Sequence, residues 1–386
     1  MISVATKKNN FLSIVFNDRV TLVLILVGLI SYFRNLFVPL VGDEITYYKI
    51  ASNILEGKYY QNKYPSTVIP IIPFLMAFFK TTPLKWGLII HKLFNLSLFI
   101  LGLRYLILTL RLLKISTKNI LIILLLTIVN SNSVAWFSNL YPEAILFFGF
   151  WGFIYHYFSD INYKNLVYLL LFFVLMSLTR YLYLILGIFL VFYLVKWIKK
   201  GFSYKRFFIT ALIVVSPILF WFKYVYHIEL NNQSEISYFN RFKNDTGLFY
   251  NIKCGLGLEK HYEVSRINGI PAFANLFIPK TGFRSFPLSI IILIFSIGGY
   301  WLHKRKKDLL TLLLFCVLPM LGLVFSGTGF SRYWLIFLPI YILGFIFTAD
   351  FIKINYKWLR ISSLVLAGIY IINEYRINYM VLSELW

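Results

Sequence analysis

The stretch TLVLILVGLISYFRNLFVPLVGDEITYYKIASNILEGKYY (21–60) opens with an apolar run long enough to cross a bilayer, and two adjacent carboxylates, Asp43 and Glu44, follow as that run ends. A span needs about 20 apolar residues to cross roughly 30 Å of hydrocarbon. The acidic pair therefore stands at the mouth of a membrane helix, as either a solvated cap or a working acid–base site. Asp43 fits an N-cap and Glu44 suits the positive end of a helix. Tyr47, Tyr48, Ala51, Ile54 and Leu55 recur at helical spacing and Gly57 fits the stop, which predicts a short amphipathic helix in the outer interface.

The rest of the 386-residue chain agrees with a membrane reading. It is 59% hydrophobic and 20% aromatic, with a mean hydropathy of +0.74, more apolar surface than a soluble core needs. Eleven segments approach the spanning standard: 20–40, 86–110, 119–136, 143–158, 165–179, 181–198, 207–225, 286–303, 309–325, 333–349 and 359–375. No alternating strand pattern repeats, so the expectation is an all-α polytopic membrane protein, a single integral domain over 1–386. Its two elaborations are the loops at 41–85 and 226–285. The basic N-terminus before a long apolar run, with no small-residue cleavage site, reads as an uncleaved anchor.

A net charge of +23 would suggest nucleic acid in a soluble protein. Here it reads as topology. The basic clusters at Lys7/Lys8, Arg111/Lys114/Lys118, Lys196–Arg206, Lys304–Lys307 and Lys353/Lys357/Arg360 all fall on the N-terminal side when spans are counted. The positive-inside rule makes that side cytoplasmic, and no nucleic-acid partner is expected. Some of the remaining positive charge suits anionic lipid head groups. Cys254 and Cys316 lie far apart, and the five histidines show no ligand spacing. The glycine-containing pieces CGLGLEK (254–260) and GTG (327–329) lack the strand–loop–helix setting of a nucleotide loop.

On the same count, five ionisable residues collect on the opposite face: Asp43 and Glu44 after the first span, Glu143 in SNLYPEAILFF (138–148), Arg180 in SLTRYLYL (177–184) and Arg332 in GTGFSRYWLIFLPIY (327–341). Charges beside hydrocarbon are costly and need partners, water or a ligand. Each has a plain reading, as a helix cap or first-turn acid for the carboxylates and as snorkelling for the arginines. Taken together, carboxylates supply a base and arginines supply anion clamps, which suits proton removal from an acceptor while a phosphate leaves. The apolar segment YPSTVIPIIPFLMAFF (64–79) carries Pro65, Pro70 and Pro73. Those prolines oppose an ordinary spanning helix and predict irregular backbone beside a cavity.

The ordered set GDEITYYKIASNILEGKYY…YPSTVIPIIPF, NLYPEAILFF, LTRYLYLILGIFLV and SRYWLIFLPIY resembles the membrane-embedded GT-C class of glycosyltransferases. Within it the chain is similar to the protein O-mannosyltransferases and the bacterial aminoarabinose (lipid A) transferases. The resemblance covers the first 200 residues and, more weakly, 325–345, where the usual second downstream proline is missing. It implies inverting transfer of a sugar from a polyprenyl-phosphate donor to a glycan, lipid or protein acceptor, on the outward face of a bacterial cytoplasmic membrane. Asp43 would be the base, with Glu44 supporting it. Glu143 would line the cavity, Arg332, Tyr333 and Arg180 would meet the donor phosphate, and Tyr64 and Pro65 would shape the loop over it. No cofactor is required, while Asp43, Glu44 and Glu143 leave a divalent metal open. Little chain follows 375, so acceptor recognition is expected from 41–85 and 226–285. Two alternatives stand beside this reading. One is a polymerase of lipid-diphosphate-linked glycan units, kept alive by Arg241, Lys243, Arg266 and Arg284. The other is a transporter of lipid-linked sugars.

Overall fold

The structure, a computed structural model, describes residues 18–59, 68–80, 84–231, 247–260, 267–278, 282–303, 306–327, 329–352 and 356–385. Those residues are helical or irregular throughout. In chain order the helices are α1 (Asp18–Asn35), α2 (Asp43–Leu55), α3 (Ile71–Lys80), α4 (Leu84–Leu112), α5 (Thr117–Ile128), α6 (Ser131–Phe137), α7 (Glu143–Phe158) and α8 (Tyr163–Ser177). A 3₁₀ turn (Tyr181–Leu186) leads into α9 (Gly187–Lys199), followed by α10 (Tyr204–Asn231), α11 (Leu248–Leu256), α12 (Ile270–Phe273), α13 (Phe286–Leu302) and α14 (Lys307–Phe325). The chain ends in α15 (Ser331–Trp334), α16 (Leu338–Ile352) and α17 (Tyr356–Leu385). Each of the eleven apolar segments falls on a helix, but fewer are long and apolar enough to cross a membrane unaided. Among the described residues five meet that test, or six when α5 and α6, bent by 64° at their junction, are counted as one broken span. This all-α architecture is that of an integral membrane protein.

Helix α7, EAILFFGFWGFIYHYF, is apolar all round and almost wholly buried, as its composition requires. It is the central post. Neighbours approach it closely wherever a side chain is absent: Phe147 lies against Gly102 of α4, and Phe172 and Met176 of α8 lie over Gly152 and Gly149. Phe150 meets Phe337, just before α16, edge to face at 5.1 Å. The crossing of α13 and α16 rests on small residues. A Cβ on Gly344 would strike the Ser296 carbonyl, one on Gly299 would strike the Gly344 carbonyl, and Thr348 Oγ1 donates to the Phe295 carbonyl at 2.6 Å. Lipid supplies little hydrophobic drive between helices, so such close backbone approach carries the association.

At one end of the bundle the backbone is irregular. The amphipathic helix expected after Asp43 forms as α2, but its N-cap is Gly42 (φ 56°), and Asp43 is already the first helical residue. Glycine tolerates this left-handed conformation, and a Cβ there would also stand 2.9 Å from the Tyr141 hydroxyl. Helix α2 packs on α3 through Ala51, Met76 and Ala77, joined by Leu140 of the connection before α7. Helix α3 starts directly after Pro70 and carries Pro73 in its first turn, where a missing N–H costs nothing. Tyr64 and Pro65 lie outside the described residues.

Gly344→Leu should force α13 and α16 apart and lower stability by about 1–3 kcal/mol. Thermal unfolding of the detergent-solubilised protein would register this as a lower midpoint, whereas Gly298→Leu, which meets open space, should leave it nearly unchanged.

Candidate functional site

Asp43, Glu143, Arg180 and Arg332 converge from four separate segments into one chain of charges. Asp43 and Glu143 are the first residues of α2 and α7, where the helix N-terminus favours a carboxylate. Arg180 sits in extended backbone between α8 and the 3₁₀ turn. Arg332 sits on α15, the short turn before α16. Arg332 Nη2 donates to Asp43 Oδ2 at 2.7 Å, and its Nε lies 3.9 Å from Glu143 Oε1. The same Oε1 accepts from Arg180 Nη2 at 2.6 Å. The order is acid, arginine, acid, arginine, with formal charges that cancel. Exposure is greatest at the Asp43 end, where the side chain is 52% exposed, and least at Glu143, with 1%.

Two atoms of this chain are buried without a hydrogen-bond partner, Glu143 Oε2 and Arg332 Nε. Aromatic rings surround the cations. Arg180 lies 3.9 Å over the Tyr333 ring. Arg332 lies among Tyr141, Trp136, Tyr333 and Phe330, at 4.9, 5.2, 5.3 and 5.6 Å. Quadrupole attraction to several faces holds a guanidinium in place. Tyr47, one turn into α2, sits within the field of all four charges, and burial pushes its phenol up, with Asp43 adding to the effect.

Glu44 does a different job. It is fully buried. Its Oε2 accepts from the Val41 N–H at 2.9 Å and its Oε1 from the Leu140 N–H at 2.6 Å. Burial raises its carboxyl above the usual range, while these two N–H donors and the nearby Lys92 work in the opposite sense. Tyr141 adds a third tie, donating to the Val41 carbonyl at 3.0 Å. Lys92, on α4, donates from Nζ to the carbonyls of Asn35 and Val38 at 2.9 and 2.6 Å, closing the end of α1. Asn35 in turn donates to the Val134 carbonyl and Ser138 Oγ, both at 2.9 Å. The Asp43–Glu44 turn is thus stitched to α1, α4 and the 138–142 connection.

Sequence reading found the four charges, Glu44 and Tyr333, and missed Tyr47, Lys92, Trp136 and Tyr141. It also missed the buried set on α1 and α17, in which Arg34 Nη1 donates to Asn378 Oδ1 at 2.9 Å and lies 3.7 Å from Glu374 Oε2. The signal for Arg34, Lys92 and Glu374 was present: each is a charge inside an apolar run. The aromatic residues carried no such mark in a chain rich in them. The glycines of 254–260 and 327–329 prove to be a packing seam. Gly255 lies against the Val324 backbone, Gly269 against Gly255, and Gly329 against Gly269, leaving no room for side chains. That seam holds α11 and the 267–269 turn of the second long loop to the segment leading into Arg332.

A cavity of about 450 Å³ opens nearby between α1, α5, α16 and α17. Leu24, Ile122, Ile342, Ile346 and Leu366 give it an apolar wall, and Asn130, Ser131 and Asn132 form a polar end at the α5–α6 break. Helix α6 leads from that end to Trp136, beside Arg332. Among the described residues, no group of three or more His, Cys, Asp or Glu side chains is placed to hold a metal ion. Comparison with family models, with characterised proteins and with solved structures gives no match.

Arg180→Gln should leave Glu143 buried without its short partner and lower stability by about 3–5 kcal/mol. Pairing it with Glu143→Gln should recover much of that loss, and a double-mutant cycle on unfolding midpoints would measure the coupling.

Proposed function

We propose that the chain is an inverting glycosyltransferase that takes a sugar from a polyprenyl-phosphate donor and passes it to an acceptor hydroxyl or amine. The observation that carries this reading is the Asp43–Arg332–Glu143–Arg180 chain. It brings a half-exposed carboxylate within 2.7 Å of a guanidinium that stands among aromatic rings. In the reaction, the acceptor oxygen or nitrogen attacks the anomeric carbon and gives its proton to Asp43. The bond from that carbon to the phosphate oxygen breaks, and polyprenyl phosphate leaves with the electron pair, its new charge met by Arg332 and Arg180. Direct displacement inverts the anomeric centre and needs one base.

The remaining pieces take supporting roles. Glu44 positions Asp43 through the Val41 and Leu140 N–H groups. Glu143 holds the two arginines side by side against their mutual repulsion. Trp136 and Tyr141 hold the Arg332 guanidinium in place with their rings. The apolar cavity beside α6 suits the first isoprene units of the donor's tail. The eleven apolar helices would cross a bacterial cytoplasmic membrane with the acidic end outward. Glycan, lipid and protein acceptors are all compatible with the site, and a divalent cation would reach it through Asp43 and Glu143.

Purified protein given a polyprenyl-phosphate sugar and acceptor should release free polyprenyl phosphate. Release of the diphosphate would indicate the polymerase chemistry instead, and movement of unaltered donor a transporter. Asp43→Asn should cut turnover by about 10²–10⁴-fold with an unchanged unfolding midpoint; near-normal turnover removes Asp43 as the base. For topology, a reporter cysteine at Lys58 should react with an impermeant maleimide in intact cells. One at Lys199 should react only after permeabilisation.

A further inference from the structure

The base and the clamp of the proposed reaction are bonded to each other. Asp43 Oδ2 occupies Arg332 Nη2 at 2.7 Å, so in this state the carboxylate is committed to a cation and the cation to a carboxylate. Neither is free for its part in transfer. The two partners are held very differently. Arg332 is 12% exposed, lies against four rings and is drawn from behind by Glu143 at 3.9 Å. Asp43 is 52% exposed and projects from the first turn of α2. An anion arriving from solvent or lipid therefore meets a fixed guanidinium covered by a movable carboxylate.

We infer that Asp43 is a resident anion on the phosphate site, and that the donor phosphate displaces it from Arg332, releasing it as the base only once the donor is seated. This inference rests on the transferase reading and adds an order to it: donor first, then acceptor. Charge supports the order. Asp43 and Glu143 supply two negative charges and Arg180 and Arg332 two positive ones, so the empty site is balanced. A bound phosphodiester takes over Asp43's place on Arg332 and leaves a carboxylate with no cation of its own. A carboxylate released from its guanidinium can turn both oxygens toward the acceptor, which is what acceptor deprotonation needs. Before the donor binds, the Asp43–Arg332 bond engages Oδ2 of the base. The exchange forms one charge-assisted hydrogen bond for each one it breaks, so it requires no other rearrangement of the site.

The test is the sign of an affinity change. Farnesyl phosphate, a short isoprenyl monophosphate, is titrated in detergent micelles against the native protein, Asp43→Asn and Arg332→Gln. Removing the resident carboxylate should tighten binding by about three- to tenfold, the scale of a partly exposed ion pair, even as turnover is lost. Arg332→Gln should weaken binding at least about tenfold. A merely structural role for Asp43 predicts weaker binding on its loss. Equal or weaker binding by Asp43→Asn overturns the exchange while leaving the transferase reading intact. Tighter binding together with no release of polyprenyl phosphate by native protein, across a panel of polyprenyl-phosphate sugars and acceptors, keeps the exchange and removes the transferase reading. Absence of saturable binding to native protein overturns both.

Discussion

Burying Glu143 at the head of α7, with 1% of its side chain exposed, sets the terms for one whole end of the molecule. A carboxylate taken out of water costs several kcal/mol unless cations and hydrogen bonds replace its hydration. Arg180 supplies the short bond and Arg332 the longer contact. Those two arginines come from chain positions separated by about 150 residues of sequence, so satisfying one acid fixes the α8–3₁₀ junction against α15. Arg332 then reaches on to the half-exposed Asp43 at the start of α2. The central post, α7, is thereby tied at its polar end to three other segments.

A second set of bonds makes this arrangement specific. Glu44 accepts from one N–H of its own turn and one from the 138–142 connection, while Lys92 caps α1 from α4. Where backbone runs irregularly near hydrocarbon, each exposed N–H and C=O needs a partner within the protein. Buried side chains of Glu44, Lys92 and Asn35 meet that need at the α1–α2 turn, which is why charges of both signs are found beside a membrane helix end without facing a ligand. The glycine seam does comparable work on the other flank by packing backbone on backbone where side chains would keep the loop away from Arg332. The site therefore rests on two stitched loops rather than on one rigid helix pair, and its one loosely held charge is Asp43.

Adjacent residues in the sequence thus have unlike duties. Asp43 and Glu44 form one acidic pair on paper, and a reading by type alone treats them as partners in chemistry. In the fold one faces the open end beside Arg332 and the other is consumed by two amide groups. A helix turns about 100° per residue, so neighbouring side chains at its start point to different surroundings, and only the surroundings assign the role.

Apolar run length and charge were enough to read an all-α membrane chain, a short helix starting at the Asp43–Glu44 pair and the charged residues at one end, because hydrophobic transfer and helix capping act locally along the chain. Composition also marked Asp43, Glu143, Arg180 and Arg332 as charges in need of partners. It did not say that they partner one another. Nor did it say that Glu44 and Lys92 hold backbone, that the glycines of two loops form a seam, that α5 and α6 bend by 64°, or that Trp136 and Tyr141 stand beside Arg332. Most of those facts depend on contacts between residues distant in the chain, from 37 positions apart for Glu143 and Arg180 to 289 for Asp43 and Arg332, and such a contact is decided by which buried charge, ring or backbone group can be satisfied once all helices pack at the same time.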